Sequence, residues 1–392
     1  MDGAIAHTER VGLSSLGYPY QMRHFPDVCA SFLLVGSSLL AQEVAPTPTY
    51  RSTHPRDDAF LAGYAAGVLE REFSLSADGL MVKDGQVHLP DRGFGRLERE
   101  EIARLLRAIP GVRGVTFDAA PVELSASDAS LTAFLAPGRL FEPLLADPRW
   151  PHFYATYDYY SDVGDPSGSK PIEHVGSAGF GETLSMVRQT LGSGLRWEAG
   201  LQAGVFAIFD LDSPSKDLIN ADYFVGPFAT FRYGDLALLT RLYHQSSHLG
   251  DEYVLREQLT GSERVNLSYE AVDAVLSWEL PYGLRLYGGG GYLIDTDPVG
   301  LDPGIGQYGM EWRAPTTWGS GLRPVVAADF QLREENDWGT DTSIRAGVQF
   351  EDPNRFSQRL AVMLEYYDGR SPNGQFYTDR VEFVGLGLHF YF

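Results

Sequence analysis

The sequence predicts a mainly β protein: an antiparallel outer-membrane β-barrel of about twelve strands over residues 149–392, behind a small α/β domain at 57–120. Three observations carry this. The last segment alternates, with Val384, Leu386, Leu388, Phe390 and Phe392 on one face and Gly385, Gly387 and His389 on the other. The same period of two recurs back to residue 153. The connections alternate between short turns and longer polar loops, which is the grammar of a membrane barrel.

The alternation has a consistent sense. Leu360, Val362, Leu364 and Tyr366 oppose Arg359, Glu365 and Tyr367. Ile344, Ala346, Val348 and Phe350 oppose Arg345 and Gln349, and Trp197, Ala199, Leu201, Ala203 and Val205 oppose Arg196, Glu198 and Gln202. Charges of both signs are too costly on a lipid face, so they are expected to fill the interior. Short turns fall at 191–194, 233–235, 281–283, 315–322 and 352–357. An even strand number places both barrel ends on the periplasmic side, with the N-terminal domain. Closure removes the unpaired edges that lipid cannot solvate.

Composition agrees. Of 392 residues, 43 are Gly, 21 Tyr and 22 Phe, a mixture suited to strands and turns. The net charge of −21 opposes a phosphate backbone, so a nucleic-acid partner is not expected. No apolar run reaches 18 residues, so no membrane helix is expected, which leaves barrel strands untouched.

Residues 1–21 read as an upstream extension and 22–41 as a signal peptide: Arg23 and His24, an apolar stretch from Val28, and cleavage after Ala41. Cleavage removes Cys29, the single cysteine, and with it any disulfide or thiolate metal site. Residues 42–56 are a Pro/Thr-rich linker. In the α/β domain Phe60, Tyr64 and Val68 recur at helical spacing, and a hairpin turns at Asp84-Gly85. Ile102, Leu105, Leu106 and Ile109 mark a second helix, and residues 112–117 a closing strand. The run from Asp84 to Leu89, then Glu98 to Ile109, then Pro110-Gly111-Val112 resembles a BON domain, a periplasmic or secreted module linked to envelope association. Residues 121–148 are expected to be a linker.

Three stretches resemble the uncharacterised outer-membrane proteins grouped as domain-of-unknown-function family 1207. They are Phe141-Glu142-Pro143-Leu144-Leu145-Ala146-Asp147-Pro148-Arg149-Trp150-Pro151, His244-Gln245-Ser246-Ser247-His248-Leu249-Gly250-Asp251-Glu252, and Arg264-Val265-Asn266-Leu267-Ser268-Tyr269-Glu270. The resemblance implies fold and location, and no established activity. Alternation ending on Phe392 resembles the assembly signal of outer-membrane barrels. The implied partners are the lipid bilayer, lipopolysaccharide and the barrel assembly machinery.

One constellation could carry chemistry. Leu242, His244 and Ser246 share a face opposite Arg241 and Gln245, so they are expected to face lipid near the outer leaflet. A His two residues from a Ser on one strand sets imidazole beside hydroxyl, as a base-activated nucleophile requires. The pair resembles the His-x-Ser pattern of outer-membrane phospholipase A and of lipid A deacylases, which implies Ser246 as nucleophile and His244 as base. Ser247 and His248 follow where those motifs continue with Asn and then Gly or Ala. The group that orients the histidine is open between Asn266, expected in the lumen beside Ser268 and Glu270, and Glu252 or Asp251 in the loop. The plainer alternative makes His244, Ser246 and His248 headgroup-zone residues that order a loop.

No cofactor is expected. Asp251 and Glu252 have no Ca²⁺-loop spacing, and His244 with His248 lacks a third Zn²⁺ ligand. The four-glycine run at 288–291 lacks the Lys-Ser/Thr of a phosphate loop. The expected role is a structural, narrow-pore or surface-binding barrel; the alternative is an outer-leaflet lipid hydrolase.

Overall fold

The expected α/β region folds as helix α1 (Asp58–Phe73), strands β1 (Met81–Lys83) and β2 (Gln86–Asp91), helix α2 (Arg96–Arg107) and strand β3 (Gly114–Ala119). The structure, a computed structural model, describes residues 58–73, 75, 77, 79–91, 94–119, 131–135, 138–163, 172–191, 194–257, 265, 267–318, 321–350 and 359–391. The signal peptide, the linker at 42–56, Asn266 and Phe392 lie outside these residues. β1 and β2 are antiparallel, and β3 joins β2 in parallel. At the hairpin Asp84 and Gly85 have φ of 51° and 77°, as a two-residue primed turn requires. The Asp58 carboxylate accepts both turn amides, from Asp84 at 2.7 Å and Gly85 at 2.9 Å, and so ties α1 to the hairpin.

Leu61, Ala65 and Leu69 of α1 pack with Ile102 and Leu106 of α2 against Val87, Leu89 and Val115. The helix expected from Phe60, Tyr64 and Val68 is present, but its buried stripe lies one residue on, and Phe60 and Tyr64 are exposed. Both stripes repeat every four residues. The small Ala65 allows the closer approach to the sheet, so that face wins.

The barrel wall consists of strand β4 (Leu131–Phe134) and strands β5 (Phe153–Val163), β6 (His174–Thr190), β7 (Arg196–Asp210), β8 (Leu218–Tyr233), β9 (Leu236–Leu249), β10 (Ser268–Glu279), β11 (Leu284–Asp297), β12 (Gly304–Arg313), β13 (Leu322–Arg333), β14 (Thr340–Phe350), β15 (Arg359–Arg370) and β16 (Arg380–Tyr391). From β5 onward each strand pairs antiparallel with the next, and β16 returns to β5 from Val381↔Val163 to Phe390↔Phe153. That closes a ring of twelve. β4 pairs with the end of β6 that β5 does not cover, from Leu131↔Thr190 to Phe134↔Val187.

Val384, Leu386, Leu388 and Phe390 face outward, as do Leu276, Met310, Val326 and Leu364 on other strands. Arg196, Glu198, Arg241, Asp273, Arg345 and Glu365 are buried inside. Aromatics mark both rims of the outer face. Tyr233, Trp278, Tyr282 and Trp312 stand at the short-turn end, and Tyr157, Tyr159, Tyr223, Tyr292 and Tyr308 toward the long loops. On β8 the two belts are set by Tyr223 and Tyr233. Ten steps of ~3.3 Å, tilted by ~40°, leave a band of ~25 Å, the height of a barrel's lipid-facing girdle.

The lumen is filled by the chain itself. Residues 138–148, within the expected linker, do not link. After Gly138 (φ 69°) the chain enters the barrel and crosses it before β5 begins. Phe141, Leu144 and Trp150 pack on Phe228, Leu239, Val275 and Tyr287, while Leu145 and Ala146 pack on Val325, Ala327, Ala361 and Met363. An irregular segment without strand partners must satisfy much of its backbone elsewhere. The inward charges do so. Glu198 accepts the Leu140 amide at 2.8 Å and Arg232 donates to its carbonyl at 3.0 Å. Arg285 donates to the carbonyls of Glu142 (2.9 Å) and Pro143 (3.0 Å). Glu311 accepts the Leu145 amide at 2.6 Å, and Arg345 donates to the Leu145 carbonyl at 2.9 Å.

The α/β unit meets the short-turn end of the barrel through α2. The amides of Arg96 and Leu97 donate to Asp235 and Glu279 at 2.9 Å each. Glu98 pairs with Arg196, and Glu101 with Arg359.

Candidate functional site

Strands β9 and β10 build the outward site. Their register sets His244 opposite Glu270 and Ser246 opposite Ser268. Arg241, Tyr243, Gln245 and Ser247 are buried in the lumen, so His244 and Ser246 face outward as expected. His244 Nδ1 lies 2.8 Å from Glu270 Oε1, both side chains being half exposed (41% and 47%).

Glu270 is the group the sequence did not reveal. Alternation counted from Asn266 predicts Ser268 and Glu270 in the lumen; both face outward. The parity of β10 is set by Asp273, whose carboxylate takes the Arg241 guanidinium at 2.6 Å inside, and by Tyr269, Ala271 and Val275, which pack there. The residues between them must then point out. Asn266 lies outside the described residues. Glu252 sits on the short helix α3 (Asp251–Arg256), and among the described residues no hydrogen bond joins it to His244. His248 is exposed at the end of β9, with its ring 5.6 Å from that of Tyr223.

The imidazole is thus oriented through Nδ1 by a carboxylate, which leaves Nε2 for a neighbour. Ser246 stands two residues along the same face. Among the described residues no hydrogen bond joins its hydroxyl to His244. Of the two links of a Ser–His–carboxylate chain, the carboxylate–imidazole one is made.

The inward neighbours of this pair do different work. Ser247 donates to Asn220 at 3.0 Å, and Asn220 donates to Asp222 at 2.9 Å. Asp222 also pairs with Arg149 of the lumen segment at 2.8 Å and accepts the Gly374 amide at 3.0 Å. Gln375 donates to the Ser247 carbonyl at 2.9 Å. Gly374 and Gln375 belong to the β15–β16 loop, which folds inward and is buried there. One fully buried carboxylate therefore fastens wall, lumen segment and loop at the long-loop end. At the other end the Glu142 carboxylate, on the lumen segment, experiences burial that raises its pKa. Arg359, Arg313 and Arg285 outweigh that burial and hold it well below the ordinary carboxylate range.

The segment that fills the lumen and the end of β9 fall within a single family match. It spans residues 122–392 and is described as a protein of unknown function, DUF1207. The chain belongs to the DUF1207 family. No curated protein is similar to it in sequence. Among solved structures it is similar to outer membrane phospholipase A from Escherichia coli, at 14% identity and a TM-score of 0.43, over 62% of this chain and 93% of that one. The translocator domain of the autotransporter NalP from Neisseria meningitidis follows at 16% identity and 0.31, over 62% and 88%. A porin of Rh. blastica matches at 10% identity and 0.26, over 61% and 99%. The closed ring of twelve antiparallel strands with its apolar outer face defines the fold as a barrel of outer-membrane type, and the likeness to these structures carries no activity. The stretch Phe141 to Pro151, one of the three on which the family resemblance rests, makes up most of the lumen segment.

Proposed function

We propose that this DUF1207 protein is a non-conducting outer-membrane barrel that anchors its α/β unit at the periplasmic face. The observation that carries this reading is the lumen segment, whose backbone is held by Glu198, Arg232, Arg285, Glu311 and Arg345 from strands around the ring. With the β15–β16 loop folded in at the far end, protein occupies the lumen toward both of its ends. The outward apolar face and its two aromatic belts support a bilayer and lipopolysaccharide as surroundings. The C-terminal alternation supports recognition by the assembly machinery, and the helix–hairpin–helix–strand order supports the BON-like reading. Reconstitution into planar bilayers tests the role. The protein should insert without conductance steps; stable channels from the unmodified chain would sink the proposal.

A second reading is favoured by the His244–Glu270 contact. Glu270 holds Nδ1, so Nε2 can take the Ser246 proton as the hydroxyl attacks a lipid ester. The acyl group passes to Ser246, the alcohol leaves with that proton, and water releases the fatty acid. Purified protein should then release fatty acid from phospholipid or lipid A, and Ser246→Ala should abolish release. Activity that survives Ser246→Ala removes this site.

A further inference from the structure

His389 stands on the inward face of β16, in line with Gly385 and Gly387, and is fully buried. Each of its ring nitrogens meets a buried neighbour. Nδ1 lies 2.9 Å from His152 Nε2, and Nε2 lies 2.7 Å from Glu365 Oε1 on β15. The planes of the two rings differ by 19° and their centroids are 5.2 Å apart, so the nitrogens meet edge to edge, along a hydrogen bond. His152 is the last residue of the lumen segment before β5, and its Nδ1 lies 2.7 Å from the Trp150 carbonyl oxygen. One chain of contacts thus runs from the lumen segment through both rings to the wall.

Three contacts need three hydrogens, and two neutral rings carry two. A carbonyl oxygen only accepts, so His152 Nδ1 carries a hydrogen. In a neutral ring Nε2 is then bare, so His389 Nδ1 must donate to it. Glu365 Oε2 accepts from Arg345 Nε at 3.1 Å, which keeps this carboxylate charged, and Oε1 needs a donor as well. His389 Nε2 must therefore donate too. A ring that donates through both nitrogens is an imidazolium. A neutral His389 would have one N–H for two acceptors. Whichever tautomer it took, one buried contact would be left with no hydrogen in it.

Burial opposes that charge, and the surroundings compensate it. Glu365 faces it directly, and Asp158 of β5 stands beside the pair. A Cβ at Gly387 would fall on Glu365 Oε1 and His389 Nε2, and one at Gly385 on Asp158 Oδ1. The buried Asp158 takes the hydroxyls of Thr156 (2.8 Å) and Ser177 (2.7 Å) on Oδ2, and among the described residues Oδ1 has no hydrogen-bond partner. Arg345, His389, Glu365 and Asp158 then make two charges of each sign. The other rings against His152 are Tyr154 of β5 and Tyr391 of β16, each with its centroid 4.9 Å away and each uncharged at neutral pH. Arg149 of the lumen segment is paired with Asp222. We propose that His389 is a buried imidazolium at neutral pH and that its proton latches the lumen segment to β16, the strand that closes the ring. Raising the pH removes the proton, breaks one link of the chain and loosens the seam between β5 and β16.

The test uses the full chain folded in a neutral maltoside detergent and isotope-labelled at the histidine nitrogens. Nitrogen NMR at pH 7.5, about one unit above the ordinary histidine value, should show one ring protonated at both nitrogens. That signal should vanish in His389→Gln. The melting-temperature advantage of the unmodified protein over this variant should shrink as pH rises from 7 to 10, since the folded state holds the extra proton. Should His389→Gln fail to fold, Asp158→Asn serves. With one facing carboxylate gone, the doubly protonated ring should release its proton at a lower pH than in the unmodified protein. Absence of a doubly protonated ring at pH 7.5 in the unmodified protein overturns the proposal, as does a signal that survives His389→Gln. An advantage over His389→Gln that is constant or grows with pH overturns it too, as does a release pH that Asp158→Asn leaves unmoved.

Discussion

Glu279, at the end of strand β10, accepts a hydrogen bond from the backbone amide of Leu97 in the first turn of helix α2, at 2.9 Å. The barrel thus caps a helix 182 residues earlier in the chain. Helix α2 needs such a cap, because Gly95 at its N-cap offers no side-chain oxygen. Asp235, on the turn before β9, does the same for the Arg96 amide. Two carboxylates at a helix N-terminus also meet the positive end of its dipole.

Removing one cap should loosen the α/β unit without harming the wall. Asp235 is the cleaner target, since Glu279 is also paired with the buried Arg232. Asp235→Ala should cost about 1 kcal/mol of docking or helix stability. Hydrogen exchange should speed up in residues 96–107 and stay unchanged in β13–β15. Equal protection in both proteins would show that the contact contributes nothing.

The lumen segment should respond to loss of its wall partners far more strongly. Arg285 donates to two of its carbonyls, lies over the Phe141 ring at 4.9 Å and pairs with Glu311. Arg285→Leu leaves both carbonyls without their donor and removes the guanidinium beside the buried Glu311 carboxylate, a loss of about 3–5 kcal/mol. The folded band on unheated gels should convert at a lower temperature, and bilayer recordings should acquire intermittent conductance as the segment detaches. A variant as thermostable and as silent as the parent would mean that the segment is held by packing alone.

Acid should act on the same segment through Glu142. Its folded pKa lies below the ordinary value, so its contribution is present in full above about pH 4.3, the unfolded carboxylate value. That contribution is lost as pH falls from there toward the folded pKa. The unmodified protein and Glu142→Gln should therefore differ in melting temperature by a constant amount from pH 7 to 5. Below pH 4 the difference should shrink. A difference that grows on acidification would reverse the sign assigned to this group.

The wall was legible because a closed sheet with one packed inner face and one apolar outer face imposes a period of two on every strand, and Val384 to Phe390 carry it without interruption. The lumen segment was not, although Phe141 to Pro151 stood out as a stretch. Its conformation has no period of its own, and the partners that define it, from Glu198 to Arg345, are spread over five strands, β7, β8, β11, β12 and β14. Glu270 failed for a related reason. Alternation gives two faces, and which is inside depends on an anchor; Asp273 with Arg241 supplies it, and Asn266 did not. On α1 two stripes with the same spacing competed, and only packing chose Leu61, Ala65 and Leu69 over Phe60 and Tyr64.

The orientation of the wall makes a last prediction that separates a membrane barrel from a soluble one. Val272 is half exposed on β10, six residues from Trp278 of the short-turn belt, while its neighbour Ala271 is buried in the lumen. In water Val272→Arg would change stability little, since the side chain would merely exchange one solvated group for another. In a bilayer the same change places a charge near the midplane, at a cost of about 2–4 kcal/mol. Folding titrations into vesicles should therefore show Val272→Arg destabilised by that amount. Arginine in place of Tyr233, in the short-turn belt, should cost about 1 kcal/mol or less. Equal, small effects at both positions would place this face in water.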